Sequence, residues 1–148
     1  MLIFFIFFSA VKTRISLVSE KGTGGTFEVS TGTSNSPLDI EFLATPPDAI
    51  LELVGKTSNA GISVSLNPAY EGSFLLKTSH AKPQINQDKT VVDPSGRNRK
   101  RSLYFNQEGR SGVVFGEVFW DDATERLEKD SKAAVVMHTS NGKIDLNL

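Results

Sequence analysis

Lys56-Thr57-Ser58-Asn59-Ala60-Gly61-Ile62-Ser63-Val64-Ser65-Leu66 and His138-Thr139-Ser140-Asn141-Gly142-Lys143-Ile144-Asp145-Leu146-Asn147-Leu148 are nearly one sentence written twice. Each follows an apolar run, residues 50–54 in the first and 133–137 in the second. Each then passes through Thr-Ser-Asn and a glycine into a segment alternating apolar and polar residues. Period two puts successive side chains on opposite faces of a strand, which predicts half-buried strands with Ile62, Val64 and Leu66 inward and Ser63 and Ser65 outward. The copy at 144–148 predicts the same split. Asn and Gly tolerate positive φ, and Ser and Thr hydroxyls bond nearby backbone, so the tetrapeptide reads as a turn with a mechanism. The unit is strand, turn, alternating strand.

Working outward, Ile15-Ser16-Leu17 and Phe27-Glu28-Val29 alternate too. Looser copies of the unit run over 15–29 around Ser19-Glu20-Lys21-Gly22, over 74–85 around Thr78-Ser79-His80, and over 103–118 around Asn106-Gln107-Glu108-Gly109. Gly32-Thr33-Ser34-Asn35-Ser36-Pro37 and Thr45-Pro46-Pro47-Asp48 read as loops, because a double proline cannot sit in a central strand. A helical period is confined to 121–131, where an acidic start and good helix formers predict one short surface helix capped by Asp121 or Asp122. The expected fold is all-β: stacked β-hairpins or a short β-solenoid-like repeat, with a β-sandwich as the alternative. Turn chemistry reports local geometry and not which strand pairs with which, so both remain open.

Composition narrows the chemistry. At 148 residues, 39% of them hydrophobic, the chain suits one globular domain. Sixteen basic residues against 17 acidic argue against a dedicated nucleic-acid binder. With no Cys there is no disulfide, thiolate metal site or cysteine nucleophile, and His80 and His138 alone do not make a histidine-rich metal site. No metal or cofactor is expected.

Residues 1–10 form an apolar extension, MLIFFIFFSA, far short of the roughly 20 apolar residues that span a bilayer. No basic residue precedes it, as a secretory signal requires. It reads as a gene-model artefact, a degenerate signal or a core-capping strand, and the repeat domain as 11–148. No Asn-x-Ser/Thr site is present, which tilts the expectation from secretion toward the cytoplasm. A long flexible loop is expected near 82–102, carrying Arg97, Arg99, Lys100 and Arg101. Those four charges read as a solvated cluster, with an anion-binding or nuclear-localisation patch as the sharper reading.

No catalytic constellation emerges. There is no G-x-S-x-G elbow, and both histidines fall in the unit's turns, without an orienting partner. Gly22-Thr23-Gly24-Gly25 lacks the G-K-[ST] ending of a phosphate loop. Trp120, the one tryptophan, closes Gly112–Trp120 (GVVFGEVFW) and reads first as a core-capping residue. A weaker reading groups Trp120, Asp121 and Tyr104 as a sugar-stacking site.

The segments 15–17, 57–66, 112–120 and 139–148 together resemble an all-β domain family of unknown function common in mushroom-forming fungi. That family is itself similar to bacterial adhesin-like domains with β-solenoid character. The resemblance implies a fold and an adhesin-like surface; it carries over no site residues. The expected function is a non-catalytic structural or binding module whose partner is carbohydrate or a protein surface. The alternative is a polysaccharide-acting enzyme using Asp121, Asp122, Glu117 and Glu108, which two carboxyls about 5–10 Å apart in one groove would favour.

Overall fold

A computed structural model describes residues 2–3, 10–107, 112–121 and 134–148. All regular structure in these residues is β, as alternation predicts. The strands are β1 (Leu2–Ile3), β2 (Val11–Ser16), β3 (Thr26–Gly32), β4 (Leu38–Ala44), β5 (Ile50–Thr57), β6 (Ile62–Ser65), β7 (Gly72–Thr78), β8 (Gln84–Asn86), β9 (Lys100–Gln107), β10 (Val113–Asp121), β11 (Ala134–Thr139) and β12 (Ile144–Asn147). They form two sheets, ordered β1-β3-β5-β11-β7-β10-β9 and β2-β4-β6-β12-β8, called the first and second sheet below. The short helix expected over 121–131 falls, beyond Asp121, outside the described residues, and Asp121 itself ends a strand.

From β2 to β8 each successive strand changes sheet, and neighbours within a sheet run parallel. The Thr-Ser-Asn turn therefore joins strands of different sheets, β5 to β6 and β11 to β12, and these flanking strands do not pair with each other. Antiparallel pairing is confined, among the described residues, to β7 with β10 and β10 with β9. The two near-identical stretches lie side by side: Lys56 opposite His138, Thr57 opposite Thr139, Ile62 opposite Ile144 and Val64 opposite Leu146. To reach that place, β11 inserts between β5 and β7, and β12 between β6 and β8.

The corners stack as the strands do. Ser34 O accepts from the backbone N–H groups of Ser58 and Asn59, and Ser58 O accepts from those of Ser140 and Asn141. The segment 32–37, expected as a plain loop, is a copy of the same corner: Thr33 and Thr57 hydroxyls meet at 3.1 Å. Thr33, Thr57, Thr78 and Thr139 are all buried there, and Thr139 Oγ1 donates to Ala60 O at 2.9 Å. A side chain at Gly142 would place Cβ 1.8 Å from that same carbonyl oxygen, so only glycine fits beneath it.

The core lies between the sheets. Leu51, Leu53, Phe74, Leu76, Val135 and Met137 face Leu38, Ile40, Ile62, Val64, Ile144 and Leu146. Burial of each such side chain is worth about 1.5–3 kcal/mol relative to exposure. The 82–102 segment contains β8 and ends in the first residues of β9, so it is tied down at both ends.

Candidate binding surface

Alternation along β9 and β10 decides where each candidate residue goes. Trp120 faces inward and is 5% exposed; its Nε1 donates to Pro68 O at 2.9 Å. Asp121, the next residue, faces outward and accepts from Ser102 Oγ at 2.8 Å. Tyr104 is also outward, 59% exposed, and its ring stacks on Phe119 with centroids 5.7 Å apart. The grouping of Trp120 with Tyr104 and Asp121 is thus corrected: adjacent residues of one strand cannot share a face. Phe119 takes the place beside Tyr104 that Trp120 was expected to hold.

Arg101 lies opposite Trp120 in the β9–β10 ladder, its guanidinium carbon 5.4 Å from the indole centroid. Its three guanidinium nitrogens are buried without a hydrogen-bond partner among the described residues. Burial lowers the Arg101 pKa, and Glu71 nearby opposes that shift. Arg99 is held harder. Its Nε reaches Asp93 Oδ2 at 3.0 Å and its Nη1 reaches Glu71 Oε1 at 3.2 Å. The Arg99 and Asp93 side chains are 8% and 1% exposed. The Arg99 guanidinium holds the Asp93 carboxyl far below the usual carboxylate range, against the opposing effect of burial. Glu71 also accepts from the Trp120 backbone N–H at 3.2 Å. The cluster expected to be solvated therefore divides: Arg97 and Lys100 are exposed, whereas Arg99 and Arg101 are built into the fold. Asp93 and Glu71 supply the environment that a reading of the charge run by itself could not see.

The cleft at this cluster, lined by Pro47, Glu71, Ser95, Arg99 and Trp120 among others, leaves about 10 Å³. That is space for one water, against about 300–1,000 Å³ for a small-molecule site.

Of the four carboxylates proposed for catalysis, the two among the described residues do not converge. Glu117 and Asp121 both face outward on β10, four residues and so about 13 Å apart along the strand. Asp122 and Glu108 lie outside the described residues. His80 sits at an exposed corner, Nδ1 3.2 Å from Ser140 O, and His138 lies on the outer face of the first sheet. Among the described residues, no three His, Cys, Asp or Glu side chains are grouped to hold a metal ion, and no helix is long and apolar enough to cross a membrane.

What remains is a surface. The outer face of the first sheet exposes Tyr104, Phe115 (51%) and Leu75 (39%), with Phe119 and Val136 half-buried. The signal for it was present in Val113–Asp121, whose odd positions, Phe115, Glu117 and Phe119, all point outward. Comparisons of this chain with family models, curated proteins and solved structures find no match.

Proposed function

We propose that the protein is a non-catalytic binding module: a β-repeat scaffold, solenoid-like in its winding, that acts through the outer face of its first sheet. The observation that carries this reading is the exposure of Tyr104, Phe115 and Leu75 on that face, with Phe119 stacked on Tyr104. Monomeric domains rarely expose contiguous apolar surface without a use for it. Exposed rings flanked by hydrogen-bonding side chains, here Ser102, Asn106 and Asp121, suit a sugar or a protein surface. The resemblance to adhesin-like domains supports the same reading. So does the separation of Glu117 and Asp121, about 13 Å apart along β10 and wider than the roughly 5–10 Å of a carboxyl pair that hydrolyses a glycoside.

A glycan array probed with wild type and Tyr104→Ala tests the carbohydrate form. Selective retention on one class of glycan, lost in Tyr104→Ala, is the expected result. Release of reducing ends from a bound polysaccharide would overturn the non-catalytic reading in favour of a hydrolase.

A further inference from the structure

The two outer faces of the molecule are charged in different ways. On the second sheet opposite charges sit beside each other: Arg14 Nε is 2.9 Å from Glu41 Oε2, and Lys12 Nζ is 3.6 Å from Asp39 Oδ2. On the first sheet the charges are sorted into rows that run across the strands. One row is Glu28, Glu52, Ala134, Ser73 and Glu117. The next is Ser30, Val54, Val136, Leu75 and Phe115. The third is Gly32, Lys56, His138, Lys77 and Val113. Acidic, apolar and basic rows thus lie parallel, about 7 Å apart.

This sorting is unfavourable within one chain. Glu28 and Glu52 are ladder neighbours, and like charges directly opposite destabilise a sheet; Lys56 and Lys77 lie in one row, either side of His138. It becomes favourable against a surface with the reverse order. The apolar row is also the row of symmetry: Glu52 and Lys56 stand two residues either side of Val54, and Ser73 and Lys77 two either side of Leu75. A two-fold axis along the apolar row turns a second copy over, lays its apolar row on the first, and reverses acid and base. Glu52 then faces Lys56 of the copy on the same strand, and Glu117 lies one strand from the copy's Lys77. Val54, Val136, Leu75 and Phe115 each meet themselves.

We infer that this face binds a second copy of the same chain, giving an isologous, face-to-face dimer. The proposal rests on the reading of this face as the contact surface and names its partner. Five strands about 4.8 Å apart and a height of about 20 Å make a patch of roughly 500 Å², or about 1,000 Å² for the pair. That is the low end for specific interfaces, the range of weak and transient contacts.

Sedimentation velocity of the full chain over a concentration series, at low and high salt, reads the association directly. A monomer–dimer equilibrium that weakens with salt is expected. Glu52→Lys and Lys56→Glu, each counted twice by the symmetry, should raise Kd at least tenfold. Combining Glu52→Lys with Lys56→Glu should restore it, because the two reversed charges face one another across the axis. Both positions are exposed, and circular dichroism of each variant checks the fold. A wild type that stays monomeric to about 1 mM, or a double variant no better than the singles, overturns the dimer. If the wild type is monomeric yet Tyr104→Ala abolishes glycan retention, the dimer fails and the surface reading stands. If the wild type is monomeric and Tyr104→Ala changes nothing, both fail.

Discussion

Asn141 and Asn59, 82 positions apart in sequence, share a side-chain hydrogen bond of 2.6 Å, Nδ2 of Asn141 donating to Oδ1 of Asn59. Asn59 passes the bond on, its Nδ2 donating to Asn35 Oδ1 at 2.6 Å. The corner of the molecule is thus an asparagine ladder, in which Asn59 turns its carbonyl toward Asn141 and its NH₂ toward Asn35.

Asn59 is the middle rung, so Asn59→Ala removes two bonds and leaves one group on each neighbour unmatched. Each intramolecular bond is worth about 0.5–1.5 kcal/mol net, and these are exposed. Urea unfolding should give a loss of about 1–2 kcal/mol for Asn59→Ala and about half of that for Asn35→Ala, an end rung. Equal losses at the two positions would mean that the ladder does not act as one.

Ile62 is 1% exposed and Ile144 is fully buried beside it, while Ser63 and Asp145 face outward. Ile62→Ala and Ile144→Ala should each cost about 2–5 kcal/mol by thermal or chemical denaturation. Ser63→Ala should stay within about 0.5 kcal/mol. A serine substitution as costly as its isoleucine neighbour would refute the alternation on which the strands are built.

Arg99 is the one of the four basic positions held in a buried ion pair with described residues. Removing one partner of a buried pair strands the other charge and costs about 3–5 kcal/mol, so Arg99→Ala is expected to be severely destabilising. Lys100→Ala, one residue along and exposed, should change stability by under about 0.5 kcal/mol. The contrast is read in one denaturation series, and similar losses at both would contradict the buried pairing.

Asp93 makes that pairing depend on acid. Its carboxyl is depressed in the fold, mainly by Arg99, so the folded chain releases this proton more readily than the unfolded one. The resulting stability is fully present above the unfolded value of about 3.9 and is lost as pH falls from there toward the depressed folded value. In that window the wild type should lose about 1.4 kcal/mol per pH unit from this group alone. Asp93→Asn is less stable at pH 7, and its stability should fall less steeply below pH 4. Parallel curves for wild type and variant would show that Asp93 titrates normally.

Period two in Ile62–Ser65 and Ile144–Asn147, and the Thr-Ser-Asn corners that precede them, are local properties of a few adjacent residues, and the sequence by itself determined them. Pattern and turn chemistry set which side chains face in, and they do so before any partner strand is chosen. The partner was decided only in three dimensions. Nothing near Ala134–Thr139 specifies that it enters between Ile50–Thr57 and Gly72–Thr78; that place follows from burying one apolar face against both neighbours in parallel register. The same distinction separates the placements of individual side chains. That Tyr104 and Asp121 face outward follows from alternation, each along its own strand. The burial of Arg99 does not, because its charge reads as solvated until Glu71, 28 residues earlier, and Asp93 close around it. The acidic, apolar and basic rows of the first sheet are likewise invisible in sequence order: each gathers residues from strands far apart in the chain, and only the register of the ladders, parallel from β3 to β7 and antiparallel at β10, lines them up.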